Sequence, residues 1–358
     1  MFVEELRNKD EWEGFVLSSP DGTFYHSLKW KEVIQRSFPS FAHYLVVKSN
    51  NGTVVGICPA FIQKHGPIKV FTSMPYSDYG GPIIREAYFE QASVLLRKFI
   101  EKYCFNNGLS FAKICFVGDR IGQFFKSPLS YVDTGAGVMV IDLKATPSDV
   151  IWNEIFSRKQ RYEIRHFERG GFNVREATNE SDLRDFYDLY LVNMRHLGVS
   201  GYPYVFFRNM WNTLFPENFY LMLLEKEKCL GGLAQFKYKD GFYGGYVAID
   251  REWPWGRYSL TSYMIWKLIK KAEEVGIRYV SLGSTPSYKR HPHYIQKNRF
   301  GSTFLQQEWV FIPFGYEANF LLVAWAKAIS AWRSFRQRSP NSFNAFVERR
   351  LVPLFVHS

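Results

Sequence analysis

The chain has 358 residues, 46% of them hydrophobic and 18% aromatic, with a formal charge of +11 and a pI near 9.3. Domains usually run to roughly 100–200 residues, so this length predicts two domains and a tail, and the apolar content excludes a disordered or fibrous chain. The charge implies an anionic partner: phosphates, a phosphorylated carrier, RNA or an anionic membrane surface.

Four cysteines, Cys58, Cys104, Cys115 and Cys229, sit in apolar runs without C-x-x-C spacing. That pattern argues against a zinc site or a disulfide framework and predicts a reduced, cytoplasmic setting. The first residues mix acids and bases ahead of any apolar run, unlike a secretory signal. The apolar run Ala318 to Trp332 is interrupted by Lys327 and falls short of the ~20 residues that a spanning helix needs.

In chain order, Tyr44 to Lys48 and Thr53 to Gln63 read as strands joined by a turn at Asn51-Gly52. A loop with Asp78-Tyr79-Gly80-Gly81-Pro82 follows, then a helix over about 86–106, with Phe89, Ala92, Leu95, Leu96 and Phe99 near helical spacing. Gly108 closes it, and the strand Phe111 to Val117 comes next. Gly135-Ala136-Gly137 reads as a turn into the strand Val138 to Leu143. The most basic stretch lies in a helix expected over 149–169, ended by Gly170-Gly171.

Strands follow at Phe219 to Glu225, Leu230 to Tyr238 and Phe242 to Ile249, then a helix from Ser259 to Val275 and a strand from Ile277 to Leu282. That strand is expected to end in a Gly283-Ser284-Thr285-Pro286 turn feeding a cationic, aromatic segment. A hairpin-helix-strand unit thus occurs twice, with Gly108 and Gly276 closing equivalent helices, so two domains of one architecture are expected. Past Pro313, helices are expected at 317–338 and 342–351, the first apolar nearly all round and both carrying arginines. They suit either packing on the second domain or a membrane interface.

The usual nucleophile and cofactor signatures G-x-S-x-G, G-x-x-x-x-G-K-[ST] and H-E-x-x-H do not occur. His291 and His293 have no third ligand pattern beside them, so no metal site is expected. The repeated unit, S-M-P-Y-S-D-Y-G-G-P at 73–82, K-Q-R-Y-E-I-R at 159–165, S-T-P-S-Y at 284–288 and Q-K-N-R-F-G at 296–301 together resemble the FemAB-like acyltransferases of the GNAT superfamily. The resemblance covers about residues 20–313. It implies an α+β fold of two tandem GNAT-like domains, mixed sheets flanked by helices, at 1–145 and 146–315, with a helical tail at 316–358. It also implies acyl transfer to an amine, in a cleft that the second domain largely builds. Family members include peptidoglycan-bridge aminoacyltransferases that use aminoacyl-tRNA, and thioester-dependent N-acyltransferases of envelope biosynthesis.

The chemistry agrees with the residue types. An amine attacking an ester or thioester passes through an oxyanion, so fixed donors and cations matter more than a protein nucleophile. Lys297 falls where the family's lysine contacts acceptor phosphate or the reacting carbonyl, although Gln296 replaces the usual phenylalanine before it. Lys159, Arg161 and Arg165 resemble the family's phosphate-gripping helix, the alternative being a solvated helix face. Arg195, in N-M-R-H-L-G, matches a cleft position, and Tyr294 and Arg299 flank Lys297 as further substrate contacts. Asp78 is the candidate for handling the amine proton. Gly256 and Arg257 precede a helix where GNAT enzymes cradle coenzyme A pyrophosphate, but Trp253, Pro254 and Trp255 fill positions that are usually small.

Arg85 stands where the peptidoglycan branch has an acid, which argues for a broader FemAB-like group than the bridge ligases. No cofactor is expected beyond the donor itself, acyl-CoA, an acyl carrier or aminoacyl-tRNA. The expected acceptor is a phosphate-bearing or lipid-linked envelope or polysaccharide precursor. The expected location is the cytoplasm, with peripheral contact at the inner membrane face through 317–351. The competing reading is a noncatalytic RNA- or membrane-binding protein on a GNAT-like scaffold.

Overall fold

The computed structural model describes residues 1–118, 122–253 and 257–314. The chain divides into two compact units: residues 1–135 with the segment returning from 306, and residues 136–305.

Unit 1 runs β1 (Phe2–Glu5), α1 (Lys9–Ser18), α2 (Leu28–Ser37), β2 (Phe41–Ala42), β3 (Leu45–Lys48), β4 (Val54–Cys58), β5 (Ala60–His65), β6 (Ile68–Ser73), β7 (Ile83–Ile84), α3 (Phe89–Asn106), β8 (Phe111–Val117), α4 (Gly122–Phe125) and β9 (Tyr131–Asp133). Unit 2 runs β10 (Ala136–Asp142), α5 (Ser148–Val150), a π turn at Ile151–Ile155, α6 (Arg158–Arg169), β11 (Asn173–Glu176), α7 (Glu180–Leu197), α8 (Tyr204–Leu214), β12 (Phe219–Glu225), β13 (Cys229–Tyr238), β14 (Gly241–Ile249), α9 (Arg257–Glu274), β15 (Tyr279–Pro286) and α10 (Pro292–Asn298). The last strand, β16 (Thr303–Pro313), lies mostly in unit 1.

In unit 1 the order β1-β3-β4-β7 makes one sheet, and β16-β8-β6-β5-β2 makes another, with β9 pairing β16. The second is mixed: β6 and β8 are parallel, joined across by α3. Ala92, Leu96, Ile100 and Cys104 recur every four residues on α3 and are fully buried against Phe71, Ala112, Ile114 and Val310. Burying one such side chain is worth about 2 kcal/mol, which is what holds a crossover helix on its sheet.

Unit 2 has the order β11-β12-β13-β14-β15-β10. The pairs are antiparallel except β14 with β15, which are parallel and joined by α9. Leu260, Met264, Leu268 and Ala272 give α9 the same buried stripe, packed with Met222, Leu224, Phe242 and Val280. The helix-closing glycines have the left-handed backbone that spares a side chain, Gly108 at φ 62° and Gly276 at φ 73°. Arg175 ties three elements of this unit together, bonding Asp182 on α7 at 2.7 Å and Glu225 on β12 at 2.8 Å.

Several expected elements are redrawn: the strand expected over Thr53 to Gln63 is two, β4 and β5, in different sheets, and Ala136-Gly137, expected in a turn, opens β10. The helix expected over 149–169 is interrupted: Phe156 and Ser157 are extended, and Ser157 accepts from the Gln160 N–H while Gln160 reaches back, a reciprocal cap that starts α6 afresh. The strand expected to stop at Leu282 continues to Pro286, because Ser284-Thr285-Pro286 pairs with β10 instead of turning. The expected helices at 317–338 and 342–351 lie outside the described residues. Among the described residues, no helix is long and apolar enough to cross a membrane.

Candidate active site

The distinctive geometry of unit 2 lies where its parallel pair gives out. β14 and β15 share only Gly241↔Tyr279 and Phe242↔Val280. Just beyond, each strand carries an extra residue relative to its outer neighbour. Against β13 the register of β14 jumps between the pairs Leu233↔Val247 and Gln235↔Gly244, placing a bulge at Gly245-Tyr246. Against β10 the register of β15 jumps between Val138↔Ser284 and Val140↔Ser281, placing a bulge at Leu282-Gly283. Bulges twist and bend a strand, so two of them facing each other end the ladder.

Glycines make this junction possible. Gly283 sits at φ 76°. A Cβ on Gly244 would lie 2.7 Å from the Gly283 nitrogen and 2.8 Å from its Cα, and a Cβ on Gly245 would lie 2.7 Å from the Ala234 carbonyl oxygen. Strands that stop pairing while running on present backbone N–H and C=O groups to an extended ligand.

Around the β14 bulge stands an aromatic wall. The Tyr246 ring meets Tyr190, Tyr202 and Phe206 edge-on at 6.0 Å and Phe207 at 5.0 Å. The Tyr190 hydroxyl accepts from the Tyr202 N–H at 3.1 Å, and the Tyr187 hydroxyl donates to the Tyr202 carbonyl at 3.1 Å, tying the α7–α8 connection to α7. Burial pushes the Tyr190 hydroxyl up to about 12, so at neutral pH it is a hydrogen-bonding group and not a base. At the far end of β14, buried Asn193 donates to the carbonyls of Leu189 and Ile249 and accepts from Arg251 Nε at 2.9 Å. Asp250 next to it pairs with Lys228 at 2.8 Å.

The residues singled out in the sequence fall as follows. Lys297, on α10, donates through its ammonium to the carbonyls of Gly283 at 3.0 Å and Ser284 at 2.7 Å. Tyr294 on the same helix packs on Phe304, with ring centroids 5.5 Å apart, and Arg299 follows the helix, exposed. Arg161 donates to the carbonyls of Trp152 and Phe156, at 3.0 and 2.7 Å, closing the π turn that precedes its own helix. Arg165 lies over the Trp152 ring at 5.4 Å, whereas Lys159 is 84% exposed. Arg195 is on the exposed side of α7, and its neighbour Asn193 is the one turned inward. Gly256 is outside the described residues, and Arg257 opens α9.

Asp78 belongs to unit 1, in a loop where Met74 and Tyr76 adopt φ 44° and 59°. Its carbonyl accepts from Gln307 at 2.6 Å. His26, buried, fixes the end of the loop through Gly81 O at 2.9 Å and Thr23 Oγ1 at 2.8 Å. Arg85 lies over the Phe15 ring at 5.4 Å. Gly244, Gly245, Tyr246 and Asn193 were not anticipated from sequence, and Gly283 was expected in a turn and not in a bulge. Glycines inside a strand pattern are the signal that marks such bulges.

Residues 156–290 match the acetyltransferase (GNAT) domain family. The fold is similar to the crystal structure of FemX, with a TM-score of 0.68 and 15% identity over 87% of this chain and 97% of that one. It is also similar to a tandem GNAT protein from the clavulanic acid biosynthesis pathway, with a TM-score of 0.57 and 11% identity over 86% and 97% of the two chains. A third similar structure is the C-terminal domain of a putative lysylphosphatidylglycerol synthetase from Agrobacterium fabrum, with a TM-score of 0.56 and 11% identity over 88% and 94%. No curated protein matches the chain in sequence. Unit 2 thus contains the segment that matches a GNAT domain, and the chain has an α+β fold similar to those of FemX and a tandem GNAT protein. The family match covers residues 156–290, and over the rest of the chain the similarity is one of fold.

Proposed function

We propose that the protein is an N-acyltransferase that moves an acyl or aminoacyl group from an activated donor to an amine of a cell-envelope or polysaccharide precursor. The observation that carries this reading is the interrupted β14/β15 pair inside the segment that matches the GNAT family. Backbone N–H groups at this junction are the fixed donors for the donor's carbonyl, whose oxygen gains charge as the amine attacks. Attack is direct. Cys229, the cysteine of this unit, has its thiol pushed up to about 11 by burial and stays protonated at neutral pH, so it offers no thiolate for a covalent intermediate.

The remaining roles are assigned on charge and position. The exposed cations Lys159 and Arg165 of α6, with Arg195, Arg299 and Tyr294, receive the phosphate-bearing substrate. Asp78 takes the amine proton. Arg257 with Gly256 serves the donor, which is acyl-CoA, an acyl carrier or aminoacyl-tRNA. The segment 317–351 gives peripheral membrane contact.

Native mass spectrometry of the full chain with acetyl-coenzyme A, an acylated carrier protein and aminoacyl-tRNA, each with amine-bearing nucleotide-sugar acceptors, tests the proposal. Donor-dependent acylation of an acceptor is the expected result. No acylation with any donor, together with RNA affinity that falls steeply with salt, would establish the noncatalytic binder instead.

A further inference from the structure

We infer that α6 docks the protein on an anionic bilayer surface through an outward stripe formed by Arg158, Tyr162, Arg165 and Arg169. The docking stands on the residues of this helix alone. Its use in catalysis rests on the acyl-transfer reading, in which it brings the protein to an acceptor presented in that surface.

At about 100° per residue, positions 158, 162, 165 and 169 fall within about 60° of one another around the helix axis. All four side chains are exposed, Tyr162 to 65%. The opposite side of α6 carries Gln160, Ile164 and Phe167, which are buried, and Ile164 and Phe167 join the core packed under α9. One face of the helix is thus spent on the core and the other is set outward.

The outward face is not neutralised. Among the described residues, no carboxylate forms an ion pair with Arg158, Arg165 or Arg169. The two acids of the helix are engaged at its sides: Glu163 lies 3.9 Å from Lys159, and Glu168 lies 3.3 Å from Lys267 on α9. Arg165 lies over the Trp152 ring, an uncharged partner that leaves its positive charge in place. A self-compensated helix face sets acid and base four residues apart. Here Arg158 is followed at that spacing by Tyr162, and Arg165 by Arg169.

The length of the stripe selects the partner. Arg158 and Arg169 stand roughly 16 Å apart along the axis, at about 1.5 Å per residue. One phosphate group cannot meet both ends, so the partner spreads its anions over that length. Nucleic acid and a bilayer surface both do so. Single strands are held in a groove with several stacking rings, whereas this stripe offers one exposed ring on a convex helix. A plane of anionic headgroups meets all the arginines together, and a tyrosine between them places its ring and its hydroxyl at the boundary of apolar and wet regions. The chain's +11 charge adds attraction of the same sign.

Co-sedimentation of the full chain with vesicles of phosphatidylcholine and phosphatidylglycerol, and of phosphatidylcholine alone, tests the inference. Binding to the anionic vesicles alone is expected, weakening as salt rises. A surface cation contributes about fivefold, so Arg158→Gln with Arg169→Gln should weaken binding by about 25-fold, and the corresponding pair of lysine substitutions should stay within about threefold of wild type. Lys64→Gln with Lys69→Gln, at exposed positions of unit 1, should change binding far less. Wild-type binding in the Arg158/Arg169 glutamine variant, an equal loss in the unit 1 variant, or no vesicle binding at low salt would each overturn the inference. So would binding of oligouridylate that the same glutamine variant abolishes while vesicles are not bound, which would assign the stripe to nucleic acid. Should that variant not fold, Tyr162→Ser alone must weaken binding to anionic vesicles, and unchanged binding overturns the inference. A chain that acylates nothing yet docks through these residues removes the acyl-transfer reading and leaves the docking in place.

Discussion

The two crossovers of this chain share a plan and differ in regularity. In unit 1, β6 and β8 are parallel over Val70↔Phe111 to Thr72↔Lys113, and each pairs with its outer neighbour without a register shift, six pairs for β5/β6 and seven for β8/β16. In unit 2, the equivalent β14 and β15 share two pairs, and both shift register against their outer neighbours. The buried helix stripes are alike, Ala92-Leu96-Ile100-Cys104 on α3 and Leu260-Met264-Leu268-Ala272 on α9. Packing of helix on sheet therefore does not distinguish the units. What distinguishes them is whether the strands beneath the helix stay in register, and the bulged unit is the one that matches the GNAT family.

The comparison can be broken most forcefully in unit 1. A Cβ on Gly81 would lie 1.9 Å from the carbonyl oxygen of Cys115 on β8, where nothing flexible can yield. Gly81→Ala should cost about 4 kcal/mol or more and unfold unit 1 by thermal denaturation. A Tm within a few degrees of wild type would show that the regular crossover is not held by this close approach.

Acid should expose the next difference, in unit 2. The Arg175 guanidinium, with help from the backbone N–H groups of Thr178 and Asn179, holds Asp182 down at about 2, against an ordinary value near 3.8. A depressed carboxylate stabilises above its unfolded pKa and loses that contribution as pH falls toward the folded value. About 2 kcal/mol should thus be present above pH ~4 and vanish as pH falls to ~2. Asp182→Asn should flatten this window in urea titrations; an unchanged slope would remove Arg175 as the cause.

The smallest effect belongs to unit 1. Burial lowers the His43 pKa, with Glu5 at 2.9 Å opposing, so the folded state favours the neutral ring. The unfolded chain then binds more protons, and stability contributed by this site is full above the unfolded value near 6.5 and is lost as pH falls below it. Protection factors in β1 and β3, corrected for the intrinsic exchange rate at each pH, should fall between pH 6.5 and 5.5 in wild type and lose that dependence in His43→Phe.

Much of the fold was legible because it rests on local signals. The strands Phe111–Val117 and Phe219–Glu225 are apolar runs with clear punctuation, and Gly108 and Gly276 announce the ends of both crossover helices. The break at Ser157 was hidden because the apolar run before it and the basic run after it both suit a helix. The bulges were hidden for a different reason: a register shift depends on the partner strand, and neither Leu233 nor Val138 reveals its pairing from sequence. The site was legible as a list of cations but not as geometry. Arg161 and Lys297 both read as phosphate ligands, and in the structure each also donates to backbone carbonyls of irregular segments. A cation near an interrupted element has two possible clients, and only the folded backbone identifies which one it serves.

The account stands on the claim that the interrupted pair of unit 2, and not the regular pair of unit 1, receives the acyl donor. Amide exchange of the full chain with and without whichever of acetyl-coenzyme A, acylated carrier or aminoacyl-tRNA is consumed tests this directly. Protection on donor binding should concentrate in 244–249 and 281–286 and leave 68–73 and 111–117 unchanged. Protection confined to those unit 1 segments, or absent from 244–249 at saturating donor, would contradict it.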